Sequence, residues 1–237
     1  NFQEEYNTVY RNLGRGLFLD VSDAFGVAVD SLPWLGWGCA LADLDNDGWP
    51  DLVVVNAHID DNAAVAGQPV EYAQPPLLHH NQAGKLFRLA NRGAGDYFAS
   101  KHPGHGLAVG DLDDDGDLDL VVNHKDGPPA LLRNDSPGLA GHRWLRLRLE
   151  GTTSPRQPIG ARVIVQVGGC QIARLVKSGH GLMSSHDPRL LIGVGIGEEV
   201  DRVTVFWPSG VRSSLEQPQL GTLLKIREPA APSRNAR

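Results

Sequence analysis

Two nine-residue segments, Asp43-Leu-Asp45-Asn-Asp47-Gly48-Trp49-Pro-Asp51 and Asp111-Leu-Asp113-Asp-Asp115-Gly116-Asp117-Leu-Asp119, set carboxylates at positions 1, 3, 5 and 9 about a glycine at position 6. Repulsion among so many carboxylates is a cost that a solvated turn has no need to carry, and a bound cation offsets it. Calcium fits: it takes about six to eight oxygen ligands, alternate carboxylates on a tight turn supply them, a carbonyl at position 7 adds another, and the glycine allows the reversal. The expected ligands are Asp43, Asp45, Asp47, Trp49 through its carbonyl, and Asp51 in the first loop. In the second they are Asp111, Asp113, Asp115, Asp117 and Asp119. An EF-hand would require a Glu at position 12 and flanking helices. Val54 and Val122 stand at that position, and strands follow.

The repeat is larger than the loop. At an offset of 68, residues 37–56 and 105–124 agree at 11 of 20 positions, among them Gly38/Gly106, Ala40/Ala108 and Leu52-Val53-Val54/Leu120-Val121-Val122. Asn12 and Phe18 recur as Asn81 and Phe87, and Arg-Asn returns at Arg133-Asn134. Each unit reads as strand, metal loop, apolar strand, excursion, strand ending near the Asn, turn, and Phe-bearing strand. Short strands repeated at this period predict the blades of a radial array such as a propeller.

The segments GWGCALADLDNDGWPDLVVVN and GLAVGDLDDDGDLDLVVN resemble FG-GAP/VCBS-type repeats, the calcium-loop blades of integrin-like β-propellers. The resemblance covers about residues 1–135 and implies an incomplete propeller of about two to three blades, because a ring needs at least about four. The remaining blades are expected upstream in a longer protein, since residues 1–30 begin with the strand-turn-strand that should end a blade. The excursion at 57–76 is much longer than its counterpart after Asn123. His58, Asp60, Asp61 and Glu71 make it either a further polar site or a solvated loop.

After Ser136-Pro-Gly-Leu-Ala-Gly the pattern changes. Leu145, Leu147 and Leu149 alternate with Arg146, Arg148 and Glu150, and Val163/Val165/Val167 and Val203/Val205/Trp207 repeat the period of two, with turns at Gly168-Gly169 and Pro208-Ser-Gly210. One face buried and one wet predicts a small antiparallel β-sandwich. His142-Arg-Trp-Leu, Ile159-Gly-Ala-Arg-Val163, Ser178-Gly-His-Gly181, Gly193-Val-Gly195 and Val205-Phe-Trp-Pro-Ser-Gly210 make residues 142–228 similar to the ASPIC/UnbV domain of the cartilage acidic protein family, with departures at Leu182, Ser185 and Ile192. A disordered tail is expected over 229–237, where Pro, Ala and Ser dominate.

A net charge of −6, which two Ca²⁺ would bring to −2, argues against nucleic acid or an anionic membrane as partner. No apolar run reaches the roughly 18 residues that span a bilayer. Cys39 and Cys170 are read as unpaired thiols, two being too few for a disulfide framework. Nine histidines show no metal-ligand spacing, and no GxSxG elbow occurs. Ser184 or Ser185 beside His186 makes a poor nucleophile-base pair, because sequence neighbours rarely adopt that geometry.

The reading is therefore a non-enzymatic, calcium-stabilised binding or scaffold module, all-β, with structural Ca²⁺ in two loops. It is expected outside the cell, in the periplasm or at the cell surface, with a protein or glycan as ligand. The competing readings are the C-terminal part of a propeller enzyme whose active site lies on other blades, and a subunit of a larger envelope or surface assembly.

Overall fold

A computed structural model describes residues 2, 4–62, 70–136 and 139–230. The expected tail at 229–237 falls outside these residues except for 229 and 230, as does the middle of the long excursion, 63–69.

The described chain is all-β apart from one four-residue helix, α1 (Ala28–Ser31). The first hairpin joins β1 (Tyr10–Gly14) to β2 (Leu17–Asp20). A four-stranded antiparallel sheet follows in the order β3 (Gly36–Ala42), β4 (Asp51–Asn56), β5 (Leu77–Asn81), β6 (Phe87–Leu89). A three-stranded sheet repeats its first part as β7 (Gly104–Gly110), β8 (Asp119–His124) and β9 (Ala130–Leu132). In register, Asn12 opposes Phe18 and Asn81 opposes Phe87, so β1–β2 corresponds to the outer hairpin β5–β6. These sheets are one full blade, a second blade of three strands, and the outer hairpin of another. All nine residues of β1 and β2 are exposed, Tyr10, Leu17 and Phe18 by more than 60%.

Apolar alternation builds the blade core. Ala40, Ala42, Val53, Val55, Leu107, Val109, Leu120 and Val122 are buried between the two sheets, with β3 against β7. Gly38 makes that approach possible, since a Cβ there would lie 2.7 Å from the His105 carbonyl oxygen and 2.8 Å from Leu107 N. Its repeat partner Gly106 meets the Ser184 hydroxyl instead, 3.2 Å from such a Cβ. The 178–187 loop of the C-terminal part thus lies against β7 at Gly106 and Gly110.

The C-terminal part is a sandwich of two sheets, β12 (Cys170–Leu175), β11 (Arg162–Val167), β14 (Val200–Phe206), β15 (Arg212–Glu216) and β13 (Leu190–Ile196), β10 (His142–Glu150), β16 (Leu223–Arg227). The inward residues expected from the period of two form the core: Leu145, Leu147, Val163, Val165 and Val203 are 0% exposed. Two details differ from expectation. β16 pairs with β10 in parallel, because the chain crosses from one sheet to the other after β15. Arg146, placed by alternation on a wet face with Arg148 and Glu150, is only 6% exposed. What covers it is the second acidic loop.

Candidate metal centre

The two loops share a backbone dictated by their sequence. Position 4 takes a left-handed conformation in both (Asn46 φ 57°, Asp114 φ 64°), which Asn and Asp tolerate, and position 6 does so through Gly48 (φ 94°) and Gly116 (φ 98°). The fold-back lets each position-6 amide donate to the position-1 carboxylate: Gly48 N to Asp43 Oδ2 and Gly116 N to Asp111 Oδ2, both 3.1 Å. Position 9 closes the loop from the other side. Asp51 accepts from the amides of Leu44 (3.2 Å) and Asn81 (2.8 Å), and Asp119 from those of Leu112 (2.9 Å) and Asn134 (2.8 Å). The recurring Asn of the repeat therefore anchors the last carboxylate of each loop.

Donor atoms of Asp111, Asp113 and Asp115 lie within 4.8 Å of one another, and so do those of Asp45, Asp47 and His80. Oxygens bound to calcium at about 2.3–2.6 Å stand no more than about 5 Å apart, so both groups fit such an ion. Asp43, Asp51, Asp117 and Asp119 stand outside these two groups. The Asp111 side chain is 1% exposed and its Oδ1 has no hydrogen-bond partner among the described residues, an uncompensated buried acceptor. Burial pushes the Asp43 carboxyl up to about 7. Arg174 opposes this, and Asp47, Asp45 and Asp51 add to it. Burial likewise raises Asp51 to about 6, and burial with the neighbouring Asp115, Asp111, Asp119 and Asp113 raises Asp117 to about 6. These are cages whose carboxylates lack a full counter-charge in the protein alone.

His80 is the site residue that spacing misses: it is the penultimate residue of β5, 35 residues from Asp45, and its Nε2 sits 3.1 Å from Asp45 Oδ2. The available signal was its place immediately before the recurring Asn81, where the second repeat has Arg133.

The sandwich is seated on both loops. Arg146 Nη1 contacts Asp111 and reaches Asp114 Oδ1 at 2.8 Å, where Arg189 Nη1 joins it at 3.0 Å. Arg174 lies 3.6 Å from Asp43, which also accepts from Gly193 N at 3.2 Å. Gly195 N donates to the Asn46 carbonyl at 2.9 Å, and His142 Nδ1 meets the Asp45 carbonyl. Trp144 lies over Gly116 so closely that a Cβ there would fall 2.0 Å from the indole. The loops also touch each other, as Asn46 Nδ2 donates to Asp117 Oδ1 (2.9 Å) and to the Gly116 carbonyl (3.1 Å). The geometry joins the two loops and the sandwich.

Other candidates resolve differently. His58 pairs with Asp60 through Nδ1, while Glu71 turns to Lys101 at 2.6 Å, so the excursion residues do not converge. The Ser184 hydroxyl accepts from Leu107 N and donates to the Leu182 carbonyl, and that of Ser185 donates to the Ser178 carbonyl. No Ser–His pair forms among them. Cys39 and Cys170 are free and exposed.

Residues 2–54 match the FG-GAP-like repeat family, and residues 151–233 match the family described as ASPIC and UnbV. Cartilage acidic protein 1 of Xenopus tropicalis and that of Mus musculus are each 26% identical to it over 273 residues, covering 94% of this chain, and the Homo sapiens protein is 24% identical. The chain spans 41% of the length of the frog and mouse relatives.

Proposed function

We propose that the chain is a calcium-stabilised binding and scaffold module of an extracellular or cell-surface protein, in which Ca²⁺ locks two blade loops and the loops form the platform for the sandwich. Asp43, Asp45, Asp47, Asp51 and the Trp49 carbonyl hold one ion. Asp111, Asp113, Asp115, Asp119 and the Asp117 carbonyl hold the other. His80 donates to Asp45 and orients it, since calcium prefers oxygen to imidazole. The units are blades over 1–135 and a sandwich over 142–228, and the ligand is a protein or glycan met by the blade ends. The resemblance to cartilage acidic protein supports the location. Millimolar calcium outside cells would fill sites that resting cytosol would leave empty.

The observation that carries this reading is the buried, unpartnered Asp111 oxygen beside Asp113 and Asp115. Calorimetric titration should give about two Ca²⁺ per chain, with Mg²⁺ much weaker because it demands a tighter octahedron. Asp45→Ala and Asp113→Ala should each remove one site, and His80→Phe should weaken the first about tenfold. No binding heat at millimolar calcium would sink the proposal.

A further inference from the structure

Between the sandwich and the first blade strands lies a cavity of about 340 Å³ whose wall includes Leu41, Val109, Leu191, Lys177, His180 and His186. The two imidazoles stack, with ring centroids 4.2 Å apart and planes inclined by 16°, and the Nδ1 of each is buried without a hydrogen-bond partner among the described residues. Leaving a buried polar group unpaired is costly, and two on stacked rings mark a place where something else supplies the partner.

The loop carrying them is fixed at several points. Leu107 N donates to Ser184 Oγ at 3.1 Å, Asp187 N donates to the Val109 carbonyl at 2.9 Å, and Gly181 pairs with Ser184 in an isolated bridge. The rings are therefore presented to the cavity by a braced segment. The other cations on its wall are committed, Arg174 beside Asp43 and Arg189 to Asp187 and Asp114. Lys177 makes no ion pair among the described residues; burial foremost, and also its nearby charge, disfavour the charged forms of both histidines.

A metal ion does not suit this arrangement. The Lys177 ammonium on the same wall repels a cation. An oxyanion suits it: two Nδ1–H groups and an ammonium are donors, and charge-assisted bonds to such groups are the strong ones. One uncommitted positive charge and leucine and valine walls favour a monoanion with an apolar body over a dianion, which is costlier to desolvate.

We propose that His180, His186 and Lys177 form a binding site for a small apolar carboxylate in this cavity, whose wall also carries Asp43 and Pro50 of the first acidic loop. The intact calcium-loaded chain, probed with butyrate by ligand-observed NMR, should show saturation transfer, with ring-proton shifts of His180 and His186. Butyramide should bind about tenfold more weakly, because it lacks the charge. Lys177 is exposed, so Lys177→Met should fold; it and His186→Phe should each cut butyrate affinity about tenfold while calcium uptake stays unchanged. Absence of transfer to butyrate, equal binding of the amide, or full affinity in Lys177→Met would each overturn the site. Calcium titration of the same samples reads the proposed function independently of this result.

Discussion

Gly193 is the residue on which the seating of the sandwich can be tested most sharply. A Cβ at this position would lie 2.3 Å from Asn46 Cα, 2.4 Å from its carbonyl carbon and 2.5 Å from its oxygen. All three are backbone atoms of the first acidic loop, so no rotamer change relieves the clash and β13 must move off the loop. Overpacking of this kind costs about 1–3 kcal/mol. Displacement also strains the 3.2 Å bond from Gly193 N to Asp43, worth about 1 kcal/mol more. Gly193→Ala should therefore destabilise the chain by about 2–4 kcal/mol, which at about 2–4 °C per kcal/mol for this size lowers Tm by roughly 5–15 °C. Differential scanning calorimetry in saturating calcium measures it. Gly179→Ala is the matched control, since a Cβ there meets nothing within 4 Å and its backbone needs no glycine. A Gly193→Ala protein melting within about 1 °C of wild type would refute the docking of β13 on the loop, because the clash has no other outlet.

Arg146→Met should cost about 3–5 kcal/mol in chelator, because it strands Asp111 as a buried, unpaired carboxylate, and less in calcium, which supplies the missing charge; urea midpoints with and without calcium give both values. In the ion-free protein Asp43 stands at about 7 and Asp51 and Asp117 at about 6, above the ordinary carboxylate value, so between roughly pH 4 and 7 the folded state holds more protons than the unfolded one. Its stability should fall as pH rises through that window, and calcium uptake near pH 6 should release protons detectable in weakly buffered solution. Glu228 behaves oppositely: burial raises its carboxyl, but bonds from Ser209, Thr152 and Ser154 outweigh that and hold it at about 2, so its contribution should vanish as pH drops from about 4.5 to 2 in acid titrations followed by circular dichroism. The exposed apolar side chains of β1 and β2 should drive self-association, which Phe18→Glu should reduce in light scattering.

The loops and hairpins were legible in the sequence because their causes are local. Asn46, Gly48, Asp114 and Gly116 are residue types that tolerate a left-handed backbone at the positions that require it. Gly168 and Gly169, with φ of 53° and 79°, make the tight turn between β11 and β12 for the same reason. Alternation found the sandwich core because pleating alone decides which face Leu145 or Val163 takes. What stayed hidden came from tertiary neighbours. Alternation puts Arg146 with Arg148 and Glu150, yet a loop more than 30 residues earlier in the chain buries it. His80 reaches Asp45 only because β5 pairs beside β4, and the parallel partnership of β10 with β16 leaves no mark in either strand.

The bond from Gly193 to Asp43 joins residues 150 apart, and that from Arg174 to the Gly48 carbonyl joins residues 126 apart. Hairpins such as β3–β4 and β7–β8 close short loops and can form early, whereas seating requires two already organised halves to meet at considerable cost in chain entropy. The acidic loops therefore spend the first part of folding facing water, where an ion can enter without obstruction. The sandwich closes over them afterwards, so an ion held beneath it leaves most readily when that late step reverses.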